Sequence, residues 1–425
     1  MAFTFFTLTF ILTLLLTTTN SQPSLNSVEQ EALYRVLDSL NSNIPWRTLF
    51  PDDICTSPPH GVVCGYTTDP GTDPVSDPGT VNIIELNFGW CFTHRPISLN
   101  GFLRSGSGLE ELVLVQNPSI YGSLTLVNGE NMKGLRRLVI TGSNVSGEIP
   151  SGFGELSNLE EVTLSRNNLA GNLPQNLSNL KKVKVVDFSQ NGLEGNIPEN
   201  IGDLENLVKL DLSFNKFSGE FPVSMKGLRS LEFLDLSYNN FYNIGIPLVL
   251  KDMSNLKGVY LSGNELGGVI PDIWGKLRGL NEIGLSSVGL VGNIPSSMGV
   301  YLGNLTYLAL DNNKLMGSVP MEFERLEKLN ELNLMNNSLS GMLPFSAKFV
   351  TRVGGKLKVQ GNGELCVDER VIWSFAKVNG NLGKLKVCKS VKNPISALIH
   401  VSSGSSSIGH QVSYLMVMFV WILFM

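Results

Sequence analysis

The chain has 425 residues, 42% of them hydrophobic, and a formal net charge of −5. That supplies ample material for a large core, and the lack of any dense basic run excludes nucleic acid as an expected partner. Length alone would suggest two or three domains, but the 43 glycines and 20 prolines recur at fixed intervals, and a fixed period overrules that prior.

In chain order, residues 1–21, "MAFTFFTLTFILTLLLTTTNS", carry no charge. Their apolar stretch, Phe5 to Leu16, is short of the ~20 residues a spanning helix needs. With Thr19 and Ser21 offering small residues for cleavage, the segment reads as a secretory signal peptide. The first basic residue is Arg35, so an N-terminal membrane anchor stays as the alternative. Secretion implies an oxidising compartment in which disulfides persist. Of the five cysteines, Cys55, Cys64 and Cys91 precede the repeats described next, and Cys366 and Cys388 follow them. The simplest pairs are Cys55–Cys64 and Cys366–Cys388, leaving Cys91 odd. The four histidines form no metal-ligand spacing, so no metal is expected.

Residues 22–108 read as an N-terminal cap. Leu33, Val36, Leu37 and Leu40 recur at helical spacing, and the short helix they predict would cover the first coil, stapled by a cysteine pair. "TTDPGTDPVSDPGT" then reads as an exposed loop. From Leu109 to Arg352 the pattern L-x-x-L-x-L-x-x-N-x-L-x-G-x-I-P returns about every 24 residues, as in "LEEVTLSRNNLAGNLPQNLSNLKK" and "LVKLDLSFNKFSGEFPVSMKGLRS". About ten copies predict an α/β solenoid of leucine-rich repeats with disulfide-bearing caps. The L-x-L core alternates as a half-buried strand does, and stacking at about 4.8 Å per strand makes an inner edge of roughly 45–50 Å. An Asn row (Asn117, Asn144, Asn167, Asn191, Asn215, Asn239, Asn264, Asn313, Asn337, Asn362) is expected to satisfy buried backbone groups. Val288 breaks the row, and the stretch 256–304 also carries an extra residue.

"GEIP", "GNLP", "GEFP" and "GSVP" resemble the plant-specific class of extracellular leucine-rich repeats found in receptor-like kinases, receptor-like proteins and polygalacturonase inhibitors. "EQEALYRVLDSL", "PDDIC", "HGVVC", "LNELNLMNNSLSGMLPF" and the C-terminal cap (353–388) containing "KLKVQGNGELCV" resemble, over nearly the whole chain, a small group of plant receptor-like proteins. That group contains the Piriformospora indica-insensitive protein 2 group and, more distantly, Too Many Mouths. The resemblance implies a cell-surface receptor-like protein that signals through a transmembrane receptor kinase, in growth, microbe-response or defence signalling. The 37 residues after Cys388 are too few for a kinase fold, so none is expected.

No catalytic constellation is present, so an enzyme is not expected and no cofactor is implied. Binding is. The strand positions between and after the core leucines give two rows down a concave face. One runs Arg137, Glu161, Val185, Lys209, Phe233, Gly258, Glu282, Tyr307, Glu331. The other runs Val139, Thr163, Asp187, Asp211, Asp235, Tyr260, Gly284, Ala309, Asn333. With Phe214 and Tyr238 from a third column, Phe233, Tyr260 and Tyr307 make an aromatic stretch beside the aspartates Asp187, Asp211 and Asp235, suited to a peptide or protein ligand. Repeat consensus with solvated aspartates is the plainer reading of the same residues. The sequons Asn144, Asn176, Asn304 and Asn336 are glycan candidates, with Asn144 disfavoured by its place in the Asn row and Asn336 beside the concave sheet.

Residues 389–411 form a linker and 412–425 a hydrophobic tail. Fourteen residues with no Lys or Arg after them fall short of a spanning helix. Small residues and a spacer precede them, the order of a glycosylphosphatidylinositol signal with attachment near Ser403; a retained short membrane helix is the alternative. A cell-wall inhibitor resembling polygalacturonase-inhibiting proteins is the rival function, and it would need no anchor.

Overall fold

The computed structural model describes residues 24–67, 80–89, 96–104, 108–374 and 385–388. The signal segment, Cys91, most of the Asp-Pro loop and the tail with Ser403 lie outside the described residues.

Leucines at the first, fourth and sixth repeat positions set the architecture. Leu207, Leu210 and Leu212 are fully buried, as are Leu231, Leu234 and Leu236 one coil later. Each coil contributes a short strand to one main sheet, parallel from Thr80–Gly89 onward and closed at its start by the antiparallel strand Val62–Thr67. The register is regular: Lys209 pairs with Phe233, Leu210 with Leu234 and Asp211 with Asp235. Because the side-chain period is two, this register puts every core leucine inward and every intervening residue outward. The two rows read from the sequence are therefore physical rows, rung by rung from Arg137 to Glu331 and from Val139 to Asn333.

After each strand the Asn turns inward and holds two coils together. Asn239 Nδ2 donates to the carbonyls of Leu212 (2.9 Å) and Leu236 (3.1 Å), while its Oδ1 accepts from Phe217 N (3.0 Å). Asn144 corrects the expected row. It is exposed, and Ser143 takes the buried place. The count runs from Ile140, and the residue three on is Ser143, so "SN" offers two polar candidates of which the inward phase takes the first. At the interruption, Val288 contributes no amide. Asn313 compensates, its Oδ1 accepting from both Val288 N (3.1 Å) and Leu290 N (2.9 Å).

A lateral strand holding the glycine of Gly-x-x-Pro comes next, and the proline then opens a back turn. Pro150, Pro174, Pro222 and Pro320 each stand just before a 3₁₀ turn, with φ between −72° and −57°, close to the value the proline ring enforces. The extra residue of stretch 256–304 is taken up at Ser297–Tyr301, which is α-helical where its neighbours are 3₁₀; the α-helix rises ~1.5 Å per residue against ~2.0 Å, so one more residue fits the same span.

The caps close both ends. The helix Ser27–Leu40 is capped by Asn26 and buries Leu33, Tyr34, Val36 and Leu37, three of the four predicted residues. Cys55 bonds Cys64, and Cys366 bonds Cys388. At the far end the helix Ala347–Val353 is capped by Ser346, and Phe349 stacks on Phe345 at 4.2 Å.

Candidate functional site

The open face of the main sheet carries the candidate site. Its third column is formed by the residue just after each strand turn, which adopts a left-handed backbone: Arg166, Gln190, Phe214, Tyr238, Ser287, Asn312 and Asn336 have φ between 53° and 57°. For a non-glycine residue that conformation costs roughly 1–2 kcal/mol. At Phe214 and Tyr238 the rings stack on each other, centroids 4.3 Å apart and planes 17° apart, and both stay about half exposed (49% and 51%). Stacking of this kind contributes ~0.5–1.5 kcal/mol beyond area burial, so it offsets part of the backbone cost of the two residues while leaving one ring shelf open. Gly263 follows in the column, and a Cβ there would sit 2.5 Å from the Tyr238 ring.

The strand rows hold a second set of rings. Phe233 and Tyr260 are tilted at 5.4 Å, and Tyr260 and Tyr307 at 6.5 Å. Gly258 and Gly284 flank Tyr260 so closely that a Cβ would stand 3.2 Å and 2.8 Å from its ring. The two missing side chains let the ring lie along the sheet, and its hydroxyl donates to Glu282 Oε2.

The aspartates are distinct in their surroundings. Asp187 is 9% exposed; its Oδ1 accepts from Ser189 N and Oγ, and its Oδ2 from Lys209 Nζ at 2.7 Å. Asp211 repeats the serine turn with Ser213 and lies 3.6 Å from Lys209 Nζ. Burial would lower the Lys209 ammonium, but hydrogen bonding and charge from Asp187 and Asp211 outweigh it and hold it above its usual value. Burial, then the charge of Asp187, raise Asp211. Asp235 accepts from Ser237 N at 2.8 Å and, among the described residues, has no ion-pair partner; burial raises its carboxyl to about 6. The Tyr307 hydroxyl is likewise pushed up, by burial first and then by Glu331, Asp311 and Glu282.

The structure thus brings Phe214 and Tyr238 together as one shelf, and Phe233, Tyr260 and Tyr307 as a chain of rings with Asp235 at its edge, while Asp187 and Asp211 are engaged with Lys209. Asp311 belongs to this surface too. It stands where Ser189, Ser213, Ser237, Ser262 and Ser286 stand in earlier coils and accepts from Ser286 Oγ at 2.6 Å; an acid in a serine column was the available signal. Of the sequons, Asn144, Asn304 and Asn336 are exposed. Asn176 is half-buried, with Nδ2 donating to Ser151 O at 2.7 Å. A separate cleft of about 780 Å³, lined by Leu37, Leu40, Trp46, Val63 and Phe88, lies in the N-terminal cap, six strands along the sheet from Phe233.

The family model for Leucine rich repeat matches residues 182–241, and single-repeat matches cover 158–180, 230–253, 255–277 and 304–326. The chain is a leucine-rich-repeat solenoid. No curated protein sequence matches it. Among solved structures the solenoid is similar to the ectodomain of the Arabidopsis receptor kinase HAESA, in complex with the peptide hormone IDA and the co-receptor SERK1. Identity is 25% over 81% of this chain and 62% of that one, with a TM-score of 0.63. It is also similar to the ectodomain of the Arabidopsis thaliana membrane receptor kinase GASSHO1/SCHENGEN3 in complex with CASPARIAN STRIP INTEGRITY FACTOR 2, at 26% identity over 69% of this chain and 37% of that one, TM-score 0.57. A plant ice-binding protein shares the fold at 22% identity, 86% and 99% coverage and TM-score 0.59. The solenoid spans between about two fifths and three fifths of the length of these two receptor ectodomains. Among the described residues no helix is long and apolar enough to cross a membrane.

Proposed function

We propose that this solenoid is the extracellular part of a receptor-like protein that binds a peptide, or the ectodomain of a receptor kinase, along its concave face. It would act in growth, microbe-response or defence signalling through a partner that crosses the membrane. The observation that carries the reading is the in-register aromatic surface of Phe214, Tyr238, Phe233, Tyr260 and Tyr307 at the centre of the sheet. Half-exposed rings with few rotatable bonds bury much area at low entropic cost when a partner docks. Similarity to a receptor-kinase ectodomain solved with a peptide hormone and a co-receptor supports it. The test is capture of partners by tagged protein on intact plant cells, comparing wild type with Tyr238→Ala plus Tyr260→Ala. At least tenfold weaker recovery of the same partner is expected; equal recovery would reject this face as the site.

The same reading has the protein enter the secretory pathway, carry glycans at Asn144 and Asn304, and be held outside the plasma membrane by a lipid attached near Ser403. A glycan at Asn336 would border the ligand face. Phosphatidylinositol-specific phospholipase C should then release tagged protein from intact cells. Protein found free in the medium of untreated cells would instead favour a wall inhibitor.

A further inference from the structure

Resting on the reading of the open face as a peptide site, we infer that its centre selects an extended peptide by one cationic side chain, an arginine or lysine, laid over Tyr260 and Tyr307 beside the carboxylates of Asp235, Glu282 and Asp311.

Three observations carry this. The first is the charge on the face. From Phe233–Asp235 to Tyr307–Ala309, the two strand rows and the two columns after them present Asp235, Glu282 and Asp311 and no Lys or Arg. The nearest cations are occupied: Lys257, just before Gly258, by Glu232 at 2.7 Å, Lys209 by Asp187 and Asp211, and Lys358 by Glu331 at 2.7 Å.

The second is the posture of Tyr260. With glycine on both sides, at Gly258 and Gly284, the ring lies along the sheet and Glu282 holds its hydroxyl. A ring lying down offers its negative π-face outward, where a cation gains most. An upright ring would offer its positive edge.

The third is a precedent within the molecule. One rung earlier, Lys209 Nζ stands 5.6 Å from the centroid of the Phe233 ring, 2.7 Å from Asp187 and 3.6 Å from Asp211. The chain there satisfies a ring-and-two-carboxylate constellation with its own ammonium. Around Tyr260 and Tyr307 the rings and carboxylates recur without one. The vacant position therefore complements a cation supplied from outside, and the adjacent Phe214–Tyr238 shelf suits a proline or aliphatic residue of the same extended strand.

The test uses the full-length protein and a display library of random decapeptides, with affinities then measured for a fluorescent peptide from the enriched pool and for its twin carrying citrulline in place of arginine. Binders lost on Tyr238→Ala are expected to share one Arg or Lys position, and the citrulline twin should bind at least tenfold more weakly. Glu282→Gln, which keeps an acceptor for Tyr260, should weaken the arginine peptide about tenfold and leave the citrulline peptide unchanged. Glu282→Lys should turn the preference at that position toward Asp or Glu. Face-dependent binders with no cationic position, or equal affinity for the citrulline twin, would overturn this inference and leave the peptide-face reading standing. A pool indifferent to both Tyr238→Ala and Tyr260→Ala, or no enrichment at all, would overturn both.

Discussion

Asp235 shows how much the neighbours of a single residue matter. Asp187, Asp211 and Asp235 are one row in the same L-D-L-S context, and each caps its own turn through a serine. Lys209 serves the first two, which leaves Asp235 facing Tyr260 on the next strand and Asp211 and Lys209 on the preceding one, with burial raising its carboxyl from 3.8 to about 6. The folded carboxyl thus holds its proton more tightly than the unfolded one. Its ionisation opposes folding by an amount that grows as pH rises from about 4 to 6 and is then constant, of the order of 3 kcal/mol. Asp235→Asn should therefore raise the melting temperature at pH 7.5, and the gain should shrink markedly at pH 4.5. Thermal unfolding at the two pH values checks this; an equal shift at both would show that the carboxyl is not the cause.

At the scale of the repeat, the Asn ladder converts one side chain into cross-links between coils. Most rungs have one Asn accepting one lateral N–H, as Asn337 does from Leu315 N. Asn313 accepts two because Val288 brings none. Leaving buried donors unsatisfied costs ~1–3 kcal/mol each. Asn313→Ala should thus destabilise by roughly 1–2 kcal/mol more than Asn337→Ala, measured as the difference in urea midpoints at constant slope. Equal midpoints would mean that the Val288 rung gains nothing from Asn313. Periodicity made the strands, the rows and most of the ladder legible, because each core leucine sets the phase for the residues after it. It misplaced Asn144, since adjacent polar residues differ only in which one the phase from Ile140 turns inward. It was also silent on the ring postures, because these depend on Gly258, Gly263 and Gly284, which stand beside their rings through space and are glycine for no reason visible within one repeat.

Across the whole molecule, each coil touches chiefly its neighbours, so the ends are the weak points of a solenoid. The C-terminal end is closed by the helix Ala347–Val353 and by Cys366–Cys388, a bond spanning 22 residues. A loop of that length corresponds to ~3 kcal/mol in the chain-entropy account. Replacing both cysteines by serine should therefore raise hydrogen exchange in the last coils, from Leu357 to Val367, and leave the strands around Leu210 protected. Uniform loss of protection along the sheet would contradict this neighbour-limited picture.

The repeat length, the inward phase of the leucines, the cap cysteine pairs and the identity of the aromatic and acidic rows follow from the sequence alone, because a stacked coil repeats one local geometry and periodicity is a local property. Which carboxylates are neutralised, which rings lie flat and which constellation is left open were decided only by tertiary structure. Those properties belong mostly to residues on different coils, such as Lys209 with Asp187, Tyr260 with Glu282 and Tyr260 with Tyr307, brought within hydrogen-bond or ring-contact distance by the stacking of the coils.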